Sequence, residues 1–400
     1  MRTIAILCGG GPAPGINTVV ATVTKVFLKD GFRVLAIHEG YKGLFAAHPE
    51  VEELTYDQIY SRGGSAIKMS RFKPEDQDFT TALFVKEGIE LLVTIGGDDT
   101  ASTANRLTKY LAAHQVNIRN IHVPKTIDND LPLPEGIPTF GFTSAKEMGV
   151  TIGKVIKAEA STTQNWYLLM SMGREAGHLA FEIGKGIHAS MIIIPEMFNK
   201  TQITIDKIVR LIISSMIKRR IVGQKFGVVV VGEGIFHFLQ DEDIASSGIT
   251  FDYDAHGHPE LSEVSKAHVI SKILKNRLKE LNLDIICRPV EVGYSLRCVD
   301  PSAFDLTYCT TLGIGVKKLY DEGHSGCMVA VNLEEEVIPV YLKDVEDEHG
   351  KIRTRLVNID KEVVRQTLAE NIYYLTAQDR SLARKWLADP EPFEYERILG

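Results

Sequence analysis

The stretch Ile4-Ala5-Ile6-Leu7-Cys8-Gly9-Gly10-Gly11-Pro12-Ala13-Pro14-Gly15-Ile16-Asn17 joins a short apolar run to a glycine-rich loop. After the loop, Ile16, Val19, Val20, Val23, Val26 and Phe27 recur at helical spacing. An apolar run without alternation suits a strand buried on both faces. Such strands belong to parallel sheets covered by helices. The unit recurs along the chain. Leu91-Leu92-Val93-Thr94-Ile95 enters Gly96-Gly97 and a helical stretch through Leu107 and Leu111. Trp166 to Met170 leads to Gly173, and Phe226 to Val231 leads to Gly232 and Gly234. The predicted fold class is α/β, and its chemistry is expected in the loops at the carboxyl ends of the strands, where open parallel sheets bind ligands.

Three helical stripes are expected to face a core: Ala145, Met148, Ile152, Val155 and Ile156; Ile205, Ile208, Val209, Ile212 and Met216; and Ile270, Ile273, Leu274, Leu278 and Leu281. The stretch from Ile249 to Glu260 alternates and predicts a hairpin or insertion. His256 and His258 in it lack acidic or cysteine partners at ligand spacing, and the other histidines form no metal motif.

Length and composition set the bounds. Four hundred residues imply two or three packed units. With 44% hydrophobic and 24% charged residues, disorder, collagen-like repeats and coiled coil are excluded for the bulk of the chain. A formal charge of −7 lacks the broad basic footprint of a nucleic-acid binder. The five cysteines include no CxxC pair and suit a reducing compartment. No signal peptide is legible, and no apolar run approaches membrane-spanning length. A cytoplasmic protein without membrane or nucleic-acid partners is expected.

Three loops carry candidate chemistry. In the first, Gly9-Gly10-Gly11 lets backbone N–H groups approach an anion, with a helix start behind it. Alone, this loop leaves phosphate binding, NAD binding and a bare turn open, and Glu39 stands where a ribose-binding acid would be. In the second, Gly96-Gly97-Asp98-Asp99-Thr100, two adjacent carboxylates follow two glycines. Hard oxygen ligands there suit Mg²⁺ completed by phosphate, and a helix cap is compatible with that use. In the third, Pro124-Lys125-Thr126-Ile127-Asp128-Asn129-Asp130, a carboxylate is placed to act as general base, and Lys125 to neutralise charge on a phosphoryl group. A polar turn is the bland alternative. Three such loops at successive strand ends favour phosphoryl transfer.

Together these residues resemble the phosphofructokinase family: Gly-Gly-x-Ala-Pro-Gly-x-Asn near the start, Gly-Gly-Asp after a central strand, Thr-Ile-Asp-Asn-Asp after the next, and Met172-Gly173-Arg174 after another. The matches run in order from Gly9 to about Asp305. The resemblance implies two similar lobes, each a mainly parallel sheet sandwiched by helices. Residues 1–140 plus about 296–345 would hold the phosphoryl donor and Mg²⁺, and 141–295 plus about 346–400 the sugar phosphate. Family members are homo-oligomers, so a homodimer or homotetramer is expected.

Two positions separate donors within the family. ATP-dependent members carry glycine where this chain has Asp99 and Lys125, and those residues resemble the pyrophosphate-dependent members. The physics agrees. Asp99 puts a carboxylate where the α-phosphate of ATP would lie, and two like charges at roughly 4 Å cost on the order of 4 kcal/mol at intermediate dielectric. Lys125 adds a positive charge beside a compact donor.

The resemblance further implies that Asp128 accepts the proton of the 1-hydroxyl of fructose 6-phosphate, that Asp98 holds Mg²⁺, and that Thr126 orients the acceptor. Gly10, Arg71 and Lys125 would hold pyrophosphate. Met172, Gly173, Arg174, Glu233, Arg288, Tyr294 and Arg297 would bind the sugar, with Arg288 and Arg297 both on its 6-phosphate. Tyr294 stands where ATP-dependent members have histidine. Asn165 stands roughly where many members have an arginine that reaches a neighbouring subunit's sugar phosphate, and Lys185 is a nearby base. Rival readings are an ATP-dependent phosphofructokinase, a pyrophosphate enzyme for another ketose such as sedoheptulose 7-phosphate, a NAD-linked dehydrogenase and a non-catalytic regulatory homologue. From about Glu334 onward the chain outruns the short bacterial form, and a helical cover through Val363, Val364 and Leu368 is expected.

Overall fold

The computed structural model describes residues 2–56, 60–198, 201–240, 242–243 and 265–400. The expected hairpin from Ile249 to Glu260, with His256 and His258, lies outside them. In chain order the strands are β1 (Thr3–Cys8), β2 (Arg33–Ile37), β3 (Val51–Glu53), β4 (Ile89–Gly96), β5 (Arg119–Thr126), β6 (Phe140–Gly141), β7 (Trp166–Ser171), β8 (Met191–Ile193), β9 (Gly227–Gly232), β10 (Cys287–Val292), β11 (Cys327–Val331) and β12 (Val337–Tyr341). The chain splits into two units, residues 1–145 with 294–355, and 146–293 with 356–400.

In the first unit the sheet order is β12-β11-β5-β4-β1-β2-β3, with β6 beside β5. Strands β11, β5, β4, β1 and β2 run parallel, while β12 and β3 are antiparallel edges. Parallel central strands need cover on both faces, and the apolar runs supply it: every residue of β1 is buried. Helix Ile16–Lys29 packs against helix Ala303–Asp321 on one side. There Gly313 is required, because a Cβ would sit 2.7 Å from Thr22. Since β2 and β3 lie to one side of β1 and β4 and β5 to the other, the order reverses between β1 and β4. Ligand sites form at that point in such sheets, and it is where the three loops meet.

The second unit is a four-stranded parallel sheet, β10-β7-β9-β8. Trp166 is fully buried at the start of β7. The stripe Ile205, Ile208, Val209, Ile212 and Met216 is buried on helix Ile205–Ile221. On helix Lys266–Glu280, Ile270, Leu274 and Leu278 are buried.

Two expectations differ. On helix Phe142–Thr163 the buried line includes Ala145, Gly149, Gly153 and Ala160, while Val155 is 66% exposed. A Cβ on Gly153 would lie 2.9 Å from Ile187, so the small residues let this helix approach its neighbour closely where larger apolar ones cannot. The last division of the chain falls after Arg355 rather than near 345. Residues 346–355 stay in the first unit because Ile352 is buried with Ala101, Ala104, Leu131 and Leu133, and Arg355 is bonded to the loop that follows β5. Farther on, helix Glu362–Glu370 buries Val364 and Leu368 and exposes Val363.

Candidate active site

In the first unit, Gly9 N–H donates to Ile95 O at 2.9 Å and Gly10 N–H to Ser70 O at 2.8 Å, which fixes the loop after β1 between β4 and the segment carrying Arg71. Gly10 has φ 82°, in the left-handed region that favours glycine. A Cβ on Gly96 would lie 2.3 Å from Thr100, so β4 enters helix Asp98–Ala113 in a turn that excludes side chains. His122 supports this turn: Nε2 lies 3.0 Å from Gly96 O, and Thr94 Oγ1 lies 2.9 Å from Nδ1. Burial pushes its pKa down to about 3, so the ring is neutral; the carbonyl must receive the Nε2 proton while Nδ1 accepts from Thr94.

Asp98 and Asp99 open helix Asp98–Ala113, where the helix dipole favours negative charge. Asp99 pairs with Lys73 at 2.8 Å, both side chains being partly exposed. Lys125 is not in a loop but near the end of β5. It is buried, and its Nζ donates to Gly11 O at 2.6 Å. Burial lowers its pKa to about 8; Cys8, Asp128 and Asp130 push it upward and Arg297 pushes it further down. The ammonium therefore faces the glycine loop as a cation held at the edge of deprotonation.

Thr126 Oγ1 accepts from Asp128 N–H at 3.0 Å, and Thr139 Oγ1 donates to Thr126 O at 2.8 Å. Asp130 is buried, and its pKa is raised by desolvation first, then by the charges of Asp128 and Asp98. Its Oδ1 has no hydrogen-bond partner. Among the described residues, no group of three or more His, Cys, Asp or Glu is arranged to hold a metal alone. Mutually repelling carboxylates with a buried orphan oxygen instead fit a hard divalent cation whose remaining ligands come from phosphate and water.

The same unit holds Tyr294, 77% exposed, and Arg297, whose guanidinium stacks 5.0 Å over the Tyr294 ring. A Cβ on Gly11 would lie 3.2 Å from Arg297 Cζ, so this arginine stands at the glycine loop.

The second unit holds the remaining sugar candidates. Gly173, with φ 152°, donates its N–H to Glu233 Oε1 at 3.3 Å, and Lys266 binds Glu233 Oε2 at 3.2 Å. Glu233 thus ties the turn after β7 to the loop after β9. Met172 N–H donates to Val292 O at 3.0 Å, which ties in the end of β10. Arg174 is exposed, as is Arg288 on the edge strand β10. Arg288 and Arg297 therefore belong to different units. Asn165 is half-buried ahead of β7, and Lys185 lines a surface cavity of about 440 Å³ with His188, Thr367 and Asn371.

With this geometry in place, a family comparison decides the assignment: the profile described as Phosphofructokinase matches residues 3–320. The chain belongs to the phosphofructokinase family. It is 37% identical over 377 residues to a pyrophosphate–fructose 6-phosphate 1-phosphotransferase of Naegleria fowleri, covering 90% of this chain and 85% of that one. It is 35% identical over 401 residues to a protein of the same name from Thermotoga maritima, covering 97% and 93%. Among solved structures, a pyrophosphate-dependent phosphofructokinase from Marinobacter aquaeolei superposes with a TM-score of 0.70 at 19% identity over 97% and 92% of the two chains, a likeness of fold.

Some residues that bond to the candidate site residues are not announced by the local sequence of this phosphofructokinase family member. Asp130 is legible as the second acid of its motif, two positions after Asp128. Lys73 and Lys266 join their carboxylates from distant loops or helices, and nothing local announces them. Arg355 lies beyond the residues the family profile matches.

Proposed function

We propose that this chain transfers a phosphoryl group from pyrophosphate to the 1-hydroxyl of fructose 6-phosphate, reversibly, giving fructose 1,6-bisphosphate and phosphate. It acts as a diphosphate–fructose-6-phosphate 1-phosphotransferase of glycolysis and gluconeogenesis. The observation that carries the donor assignment is Lys125: a buried ammonium at the glycine loop, in a unit whose helix Asp98–Ala113 opens with the Asp99 carboxylate. A compact diphosphate gains from the cation, and an extended nucleotide meets the anion.

Asp128 takes the proton from the 1-hydroxyl as its oxygen attacks phosphorus in line. The bond to the bridging oxygen breaks, and phosphate leaves. Lys125 and the amides around Gly10 offset the charge carried onto the leaving oxygens, and Arg71 is a further contact for the donor. Thr126 holds the Asp128 backbone through its hydroxyl. Asp98, with the orphan oxygen of Asp130, would hold Mg²⁺, which when bound supplies charge neutralisation to the diphosphate. Tyr294, Arg288, Arg174, Glu233, Met172 and Gly173 serve the sugar, and Arg297, expected with them, stands at Gly11 of the glycine loop. A cytoplasmic site of action fits the five free thiols, and no helix among the described residues is long and apolar enough to cross a membrane. The active form is a homodimer or homotetramer.

One assay tests the donor and acceptor together: turnover with Mg²⁺, comparing pyrophosphate with ATP and fructose 6-phosphate with sedoheptulose 7-phosphate. The expected result is turnover with pyrophosphate and fructose 6-phosphate and little with ATP. Preferred use of ATP would overturn the donor assignment, and preference for the seven-carbon sugar would replace the acceptor.

A further inference from the structure

We propose that Arg355, delivered by the segment that follows β12, is a positioning residue that locks the loop bearing Asp128 and Asp130 in its working shape. The inference rests on the reading of Asp128 as the base. The segment is held first by its backbone. Glu346 bridges Ile352, Arg353 N–H donates to Val345 O at 3.0 Å, and Ile352 N–H donates to Ser102 Oγ at 3.0 Å. Ile352 is buried beside Leu131 and Leu133, which follow the loop in sequence. Arg355 N–H then donates to Asp130 O at 2.7 Å.

The guanidinium completes the clasp. Nε donates to Asn129 O at 3.1 Å, Nη1 to Ile137 O at 2.8 Å and to Leu133 O at 3.5 Å, and Nη2 to Asn129 Oδ1. Asn129 Oδ1 also accepts from Thr139 N–H at 3.0 Å. Asn129 has φ 57°, in the left-handed region that asparagine adopts more readily than most L residues, and the bonds from Arg355 and Thr139 to its side chain fix it there. It stands between Asp128 and Asp130, so its dihedrals set the direction of both carboxylates. A planar fork with five donors can bind this spread of carbonyl oxygens, while an ammonium cannot reach them all. The segment that follows β12 thereby serves the reaction through the loop that bears Asp128.

The test uses the full-length protein with Arg355→Lys and Arg355→Ala, followed by steady-state kinetics and thermal melting, with Asp128→Ala in parallel. Misplacing a reacting group by about 1 Å costs about 10²-fold. Arg355→Ala is therefore expected to lose about 100-fold in kcat and Arg355→Lys about tenfold, with KM for pyrophosphate and for fructose 6-phosphate each changing less than about twofold. Methylguanidinium at millimolar concentration should restore part of the kcat of Arg355→Ala. If Arg355→Ala does not fold, Arg355→Lys decides by its split between kcat and KM. Wild-type kcat in a folded variant, or a loss confined to KM, would overturn the inference. An inactive Asp128→Ala beside fully active Arg355 variants would leave the base assigned and remove the clasp alone; an active Asp128→Ala would remove both.

Discussion

The candidate site residues of the two units handle charge differently. In the first, Lys125 and Asp130 are buried, and each has its proton affinity displaced by burial before any substrate arrives. In the second, Arg174 and Arg288 are exposed and Glu233 is already neutralised by Lys266. Burying charge destabilises a fold unless it is paired, so the first unit carries built-in strain that a bound diphosphate and cation would relieve. In the second unit the buried carboxylate Glu196, its pKa also raised by burial, accepts from the N–H groups of Gly177 and Val357, and none of the charged sugar candidates is buried in this way. Substitutions in the first unit should therefore strike turnover, and those in the second should strike the affinity for sugar.

The sharpest way to break this comparison is Asp128→Ala. Loss of a general base costs about 10² to 10⁴ in rate, so turnover should fall to the bottom of that range or below detection, with the melting temperature nearly unchanged. Residual activity within tenfold of wild type would remove Asp128 as the base and, with it, the claim that the first unit owns the chemistry.

Next in size is the pair Asp99→Gly with Lys125→Gly. Loss of the buried ammonium leaves Gly11 O without its donor, and kcat/KM with pyrophosphate should fall about 100-fold, as expected for one charged contact to the reacting group. Some ATP use should emerge. Asp99 also pairs with Lys73, so the exchange frees a lysine that is itself able to meet a nucleotide phosphate. An unchanged donor ratio would defeat the electrostatic account.

Acidity gives a third probe. A lysine with its pKa lowered to about 8 is cationic below that pH and neutral above it. In the free enzyme, kcat/KM for pyrophosphate should decline as pH rises past about 8, approaching tenfold for each further unit. Lys125→Ala should abolish that limb of the profile while leaving the remaining activity low and flat. A limb that survives the substitution would belong to another group.

The loops at the strand ends were legible because their chemistry is local. Glycines and acids sit next to one another in sequence, and each follows an apolar run that could only be a buried strand. What was not legible depends on contacts between distant positions. Nothing near Arg355 in sequence marks it as the partner of Asn129, 226 positions away. The stripe on helix Phe142–Thr163 misled for a related reason: periodicity reports a face, but Gly153 shows that the tight contact wants the absence of a side chain. Arg288 and Arg297 are close in sequence, and the chain passes from one unit to the other between them, after Gly293.

That last separation yields the smallest of the expected effects and the most discriminating one. A charge-assisted hydrogen bond contributes about 1.5–3 kcal/mol, and its lower end, apt for side chains that solvent reaches, gives each arginine roughly a tenfold effect. If their neighbours decide their roles, the effects should fall on different substrates. Arg288→Ala, on the exposed edge strand of the second unit, should raise KM for fructose 6-phosphate and leave that for pyrophosphate alone. Arg297 stands at Gly11 and lowers the proton affinity of Lys125. Arg297→Ala should therefore lower kcat/KM for pyrophosphate and shift the alkaline limb of its pH profile upward, because a neighbouring positive charge has gone. Wild-type kcat/KM for pyrophosphate in Arg297→Ala, with a raised sugar KM matching that of Arg288→Ala, would instead put both arginines on one phosphate and erase the division of labour between the units.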